Sequence, residues 1–129
     1  MLVASKNENF LDQNIDWEFP IPIAYGPGRL SEIGLFCEQF QISNPLIITD
    51  EGSKNLPFIN RLITLLEKSS IPSKLFFGIS PNPRDDEIMA GCETYRSGKH
   101  DSIIAIGGGS AMDGAKAIGM TVNSGVNLW

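Results

Sequence analysis

The sequence predicts an α/β protein built on a parallel sheet with helices on both faces. Short apolar runs alternate with stretches whose apolar residues recur at helical spacing, in the order βαβαβαβα. This alternation is typical of parallel sheets, because each connection between neighbouring parallel strands needs a long crossover, usually a helix. The strand predicted at 102–106 is almost wholly apolar, as expected for a strand that is covered on both faces.

Composition excludes several classes of protein. The chain has 129 residues, 42% of them apolar and 19% charged, which is a globular composition with room for one core. The net charge of −5 offers no general attraction to nucleic-acid backbones, so we expect no nucleic-acid partner. The sequence shows neither an apolar run that would span a membrane nor a secretory signal. Cys37 and Cys92 fall on apolar helix stripes, and we interpret them as reduced core residues of a cytoplasmic protein.

The order of the elements follows from apolar runs and turn signals. Residues 1–16 are polar, and we interpret them as a frayed terminus rather than an ordered flap. We expect Asn82 to cap the third helix and Pro83 to be its first residue. His100 is expected on a solvated turn. Strands are predicted at four places, namely 19–25, 46–49, 74–77 and 102–106.

The segment 103–116 carries the strongest functional signal. A predicted buried strand ends in Gly107, Gly108 and Gly109, and a helix is predicted from Ser110. Glycines let the backbone approach a ligand, and a helix N-terminus offers unpaired N–H groups with partial positive charge. The pattern therefore predicts an anion cradle at the carboxyl end of a parallel strand. A plain tight turn, with Ser110 and Asp113 as a capping pair, stays open beside it.

Asp50 is the second candidate, because it directly follows the predicted strand 46–49. A carboxylate in that place can hydrogen-bond ribose hydroxyls and disfavour a 2′-phosphate. The residues alone favour a turn or cap, since Asp50 to Ser53 is good turn chemistry. The segment 26–28 (GPG) is a weaker candidate loop, because its proline removes a donor. The spacing of His, Cys and acidic residues indicates neither a metal site nor a catalytic triad.

Residues 107–116 closely resemble the G-G-G-S-x-x-D-x-A-K motif of the iron-containing (group III) alcohol dehydrogenases. The turn at 25–28, the strand that ends in Thr49-Asp50 and the segment 81–83 (PNP) agree with that family in order and spacing. The resemblance covers residues 17–129 and implies a Rossmann-like N-terminal domain that binds NAD or NADP. In the family an all-helical C-terminal domain follows and holds a divalent metal, iron or zinc.

The resemblance also implies roles for single residues. Gly108, Gly109 and Ser110 match the positions that bind the pyrophosphate, and Gly107 lies in the same turn. Asp113 matches the motif acid near the cofactor. Asp50 matches the position that contacts the adenosine ribose and favours NAD, which raises it well above what the residues alone support.

The sequence departs from the family pattern at its end. The Thr-rich cofactor loop and every metal ligand of the family are missing by Trp129, so we interpret 17–129 as a partial domain, truncated before the all-helical metal domain. No catalytic residue or metal ligand is expected within it. We expect the parent protein to be a homo-oligomeric, NAD(P)- and metal-dependent oxidoreductase that interconverts an alcohol and an aldehyde or ketone.

The chain by itself is expected to be inactive. We also expect it to self-associate, either through the strand at 102–106, left at a sheet edge, or through the face that the helical domain normally covers. Two alternatives stay open at this stage. One is a non-catalytic nucleotide-binding module, and the other is a relative of glycerol dehydrogenase or dehydroquinate synthase.

Overall fold

Four strands form one sheet, in the order β1-β4-β2-β3. The computed structural model describes residues 2–5 and 29–124. Strands β4, β2 and β3 are parallel neighbours joined through helices, which confirms the predicted fold class. A single 3₁₀ turn, Arg29–Glu32, leads into the first helix. The elements in chain order are β1 (Leu2–Ser5), α1 (Ile33–Gln39), β2 (Pro45–Asp50), α2 (Pro57–Lys68), β3 (Lys74–Ile79), α3 (Asp85–Ser97), β4 (Ser102–Ala105) and α4 (Gly109–Ser124).

Helices cover both faces of the sheet because successive strand side chains point to opposite sides. Ile48 of β2 packs with buried residues of α3 and α4. Its neighbour Ile47 packs with buried residues of α1 and α2 on the other face. Both isoleucines are fully buried, as is Ile104 of β4. Cys37 and Cys92 are buried free thiols, one on each face, as predicted.

Strand β1 was not predicted, and the interpretation of residues 2–5 as a frayed end is wrong. These residues pair antiparallel with β4, with Leu2 opposite Ala105 and Ser5 opposite Ser102. Strand β4 therefore has a neighbour on each side, so the expected free edge at 102–106 is also wrong. Four residues are too few to show a periodicity within a polar segment. The strand predicted at 19–25 and the turn at 26–28 lie outside the described residues.

Two helices begin at other residues than the sequence predicts. Helix α3 begins at Asp85 with Arg84 as its N-cap, rather than at Pro83 after Asn82. The Glu87 carboxylate accepts the N–H of Arg84 (2.9 Å), and this bond fixes the start of the helix. Helix α4 begins at Gly109 rather than Ser110. Within residues 29–124, no helix combines the length and apolar character that crossing a membrane requires.

Hydrogen bonds around Asp101 tie together the segments that enter β2 and β4. The Asp101 carboxylate accepts the backbone N–H of Ser43 (2.8 Å), the Ser43 hydroxyl (2.7 Å) and the backbone N–H of Asn44 (3.0 Å). It also accepts the Ser102 hydroxyl (2.9 Å). Because these donors come from both segments, the amino ends of the two strands are held side by side.

His100 belongs to this closed end of the sheet, and its predicted place on a solvated turn is wrong. The residue is only 5% exposed. Its Nδ1 lies 3.1 Å from the Asn44 carbonyl oxygen, and because a carbonyl can only accept, Nδ1 is the donor. The Asn44 side-chain amide donates in turn to the carbonyls of Gly98 (3.1 Å) and Lys99 (3.0 Å). A polar turn residue is thus buried because a neighbouring loop folds over it.

We expect stability to fall in acid, in part because of Asp101. Burial alone would raise its pKa, but hydrogen bonds from Ser43 and Asn44 hold the pKa below its ordinary value. Such a carboxyl stabilises the fold above its unfolded pKa, and the contribution is lost as the pH falls through the folded pKa. Chemical unfolding from neutral pH down to about pH 2 measures this loss.

The Asp101→Asn variant should be less stable at neutral pH and should lose less stability in acid than the unmodified chain. Asp113→Asn makes the same change at an exposed position and serves as the control. If Asp101→Asn and the unmodified chain showed the same pH dependence, Asp101 would have no part in the acid effect.

Candidate functional site

The strand order of the sheet reverses between the carboxyl ends of β2 and β4, and we call the space beside these two strand ends the crevice. The chain leaves β2 for β3 on one side and returns to β4 on the other side of β2. Helices α2 and α4, which follow β2 and β4, pack on opposite faces of the sheet. Open α/β sheets bind ligands at such a switch point, so the topology alone makes this crevice the first candidate.

Asp50, the last residue of β2, reaches across this crevice. The backbone N–H of Gly108 donates to its Oδ2 (3.1 Å), and the Ser53 hydroxyl donates to the same oxygen (3.0 Å). The structure thereby joins two features that the sequence predicts separately, 58 residues apart. Burial alone would raise the pKa of Asp50, but the Gly108 N–H and the Ser53 hydroxyl hold it below its ordinary value. The carboxylate is therefore charged at neutral pH.

Gly107 is required by the backbone of this turn. Its φ is +139°, in the region that side chains rarely adopt. A Cβ built there would lie 2.6 Å from Asp50 Oδ2 and 3.0 Å from Thr49 Oγ1. Gly107 therefore has a structural role in this turn, and that role is compatible with a cradle formed by the residues that follow.

The next two glycines face outward. Gly108 and Gly109 are exposed, and a Cβ at Gly109 would meet no atom of the described residues within 4 Å. The N–H of Met112 donates to the Gly108 carbonyl (3.2 Å), so the N–H groups of Gly109 and Ser110 precede the first full helical bond. Open space in front of a helix N-terminus suits an anion. Asp113 lies exposed on α4, one turn beyond Gly109.

A third loop, at 80–84, lies at the carboxyl end of β3. The Glu87 carboxylate accepts the backbone N–H of Ser80 (3.1 Å), the Ser80 hydroxyl (2.8 Å) and the N–H of Arg84 (2.9 Å). Sequence reasoning found the PNP motif in this loop and placed Glu87 in the first turn of the helix, but it did not foresee these bonds. The available signal was an acid at the third helical position, where a carboxylate turns back to cap the helix start.

Sequence reasoning also missed two residues beside Asp50. The Ser53 N–H donates to the Asp50 carbonyl (3.1 Å), so residues 50–53 do form the turn that their chemistry indicates. That turn is also what places the Ser53 hydroxyl on the carboxylate. Thr49 is fully buried, and its hydroxyl has no hydrogen-bond partner among the residues that the structure describes. Nothing in the sequence singles out Thr49, because a buried strand accommodates Thr and Val equally well.

Across 29–124, the structure groups no three His, Cys, Asp or Glu side chains closely enough to hold a metal ion.

Residues 20–129 match a family model described as iron-containing alcohol dehydrogenase. The chain belongs to the iron-containing alcohol dehydrogenase family. It is 29% identical to 1,3-propanediol dehydrogenase of Citrobacter freundii over 116 residues, 88% of this chain and 30% of that protein. It is 35% identical to alcohol dehydrogenase 4 of Schizosaccharomyces pombe over 101 residues, 78% of this chain and 24% of that protein.

Solved structures of the family share the fold. NADH-dependent butanol dehydrogenase A of Thermotoga maritima superposes with a TM-score of 0.72 at 26% identity, over 82% of this chain and 27% of that one. Sulfoacetaldehyde reductase of Bifidobacterium kashiwanohense, solved with NAD⁺, superposes with a TM-score of 0.70 at 32% identity, over 80% of this chain and 27% of that one. These matches confirm the resemblance, and the chain spans less than a third of the length of these relatives.

The different roles of the glycines predict different effects of one added methyl group. Gly107→Ala should destabilise the chain by about 1–3 kcal/mol, because it combines a strained φ with a contact on Asp50 Oδ2. Gly109→Ala is the matched control and should change stability by less than about 1 kcal/mol, because its Cβ points into open space. Chemical unfolding measures the free energy of unfolding of both variants. Equal losses of stability in the two variants would show that the turn is not strained at Gly107.

Proposed function

We propose that this chain is the cofactor-binding part of an NAD-dependent, metal-dependent alcohol dehydrogenase that interconverts an alcohol and an aldehyde or ketone. The observation that carries the proposal is the Asp50–Gly108 contact across the switch point, which brings an acid and a glycine-rich helix start into one crevice. Family membership supports the oxidoreductase class. Relatives that are named as NADH-dependent, or were solved with NAD⁺, support the choice of cofactor.

The glycine turn would receive the pyrophosphate. The N–H groups of Gly109 and Ser110 stand at the start of α4, where the helix dipole adds positive potential. The open space in front of Gly109 leaves room for the phosphate oxygens to approach the backbone. Gly108 would contribute less directly, because its N–H already donates to Asp50.

Asp50 would take the adenosine ribose and select the cofactor. A carboxylate can accept from the ribose hydroxyls of NAD. The 2′-phosphate of NADP would bring a second negative charge against a carboxylate that is already ionised at neutral pH. The proposal is therefore NAD in preference to NADP.

This part of the chain would bind and orient the cofactor, while the nicotinamide supplies the hydride chemistry. The described residues do not fit a metal ion, so the metal of the proposed enzyme would be held by residues outside 29–124. The proposed substrate is a small alcohol or its aldehyde, as the names of 1,3-propanediol dehydrogenase and NADH-dependent butanol dehydrogenase A state for those relatives.

A side chain at Gly109 should block cofactor binding without harming the fold. We expect the chain to bind NADH weakly, with a dissociation constant of about 1 mM, and Gly109→Val to raise it at least about tenfold. Chemical-shift titration of the chain with NADH measures both values. Gly119→Ala, whose Cβ would make only an ordinary contact 3.7 Å from Ile103, is the control glycine substitution. If Gly109→Val bound NADH like the unmodified chain, the turn would have only a structural role.

Cofactor choice should depend on Asp50. The unmodified chain should bind NADH more tightly than NADPH, and Asp50→Gly should bring the two affinities together by removing the charge that repels the 2′-phosphate. Parallel titrations with the two nucleotides give the ratio. Equal affinities in the unmodified chain would contradict the place given to Asp50.

A further inference from the structure

We propose that Ser53 is a positioning residue that sets cofactor choice by locking the carboxylate of Asp50. The proposal rests on the proposed function, since it concerns how the NAD-selective acid is held. Two donors meet at Asp50 Oδ2, the Gly108 N–H at 3.1 Å and the Ser53 hydroxyl at 3.0 Å. One donor belongs to the glycine turn and the other to the turn that follows β2.

Ser53 is well placed to act on the carboxylate. Ser53 is 9% exposed, so little water reaches its hydroxyl to compete for the bond with Asp50. The turn bond from the Ser53 N–H to the Asp50 carbonyl (3.1 Å) fixes its backbone relative to Asp50. Because the acceptor is an ionised carboxylate, the hydroxyl bond (3.0 Å) is charge-assisted, which makes it stronger than a bond between neutral groups at the same distance.

The two bonds occupy one oxygen of the carboxylate and leave the other available to a ligand. An ionised carboxylate has about four acceptor positions on its two oxygens, and the Gly108 and Ser53 donors use the capacity of Oδ2. The two bonds hold the carboxylate in one orientation instead of letting it rotate, and they leave acceptor capacity on Oδ1 for a ligand. Ribose hydroxyls would meet a fixed acceptor, and a 2′-phosphate would meet a fixed negative charge.

Without the Ser53 hydroxyl, the carboxylate would be left with backbone donors, namely the Gly108 N–H (3.1 Å) and the nearby N–H groups of Asp50 and Ser53. The side chain of Asp50 could then turn from a 2′-phosphate towards solvent, so the penalty against NADPH would fall while the charge itself remained. Loss of the Ser53 hydroxyl is thus expected to change the ratio of the two affinities, whereas general damage to the fold would lower the affinity for NADH and for NADPH alike.

The test uses the whole 129-residue chain and two readouts. The first is the Gly108 amide proton, whose chemical shift follows ionisation of the carboxylate that it contacts. The second is the ratio of NADH to NADPH affinity from parallel titrations. Ser53→Ala removes the hydroxyl and Ser53→Thr restores one. Ser102→Ala removes a similar bond, from a hydroxyl to the Asp101 carboxylate (2.9 Å), at the opposite end of the sheet.

Ser53→Ala should raise the pH at which the Gly108 amide titrates and lower the NADH to NADPH ratio by about threefold. Ser53→Thr should recover both, and Ser102→Ala should leave both unchanged. The proposal would be overturned if Ser53→Ala left the ratio unchanged, including the case in which the affinities for both nucleotides fall equally. If the unmodified chain bound neither nucleotide, the proposed function and this selectivity would fall together, whereas the Gly108 titration would still show whether the Gly108 and Ser53 bonds to Asp50 exist.

Discussion

The parallel pairing of β2 with β4 sets the position of every group at the candidate site. Its register places Ile48 opposite Ala105, and the Ile106 N–H extends the ladder to the Ile48 carbonyl (3.0 Å). Both strands therefore end at the same level, and Asp50 can reach Gly108. A slip by one residue would turn each buried strand side chain to the opposite face of the sheet. The two apolar cores thus fix the register on which the crevice depends.

The two ends of this strand pair are held in different ways. At the amino end, the Asp101 carboxylate gathers four donors from both segments, and Asn44 adds further bonds. At the carboxyl end, the side-chain link that the described residues show between β2 and the segment after β4 is the carboxylate of Asp50. The end that would bind the cofactor is therefore the less constrained one, and its geometry depends on few groups.

Much of this arrangement could be predicted from residue types. The isoleucine runs of β2 and β4 indicate strands buried on both faces, and Gly107 to Gly109 indicate a turn before a helix, without any knowledge of tertiary structure. The Asp50–Gly108 contact could not be derived locally, because it depends on strand register across 58 residues. The role of the Ser53 hydroxyl was overlooked because Ser53 is a common turn residue and was interpreted as one. The burial of His100 could not be derived locally either, because it involves the Asn44 carbonyl, 56 residues away along the chain.

The antiparallel direction of β1 has a consequence for the space around the glycine turn. Because Leu2 pairs with Ala105 while Ser5 pairs with Ser102, the strand runs from the carboxyl edge of the sheet towards its amino edge. The chain thus enters the sheet next to the residues that precede Gly107. Any polypeptide joined ahead of Leu2, such as a fusion partner or a purification tag, would leave the sheet at its carboxyl edge, beside the end of β4, which is the strand that leads into the glycine turn.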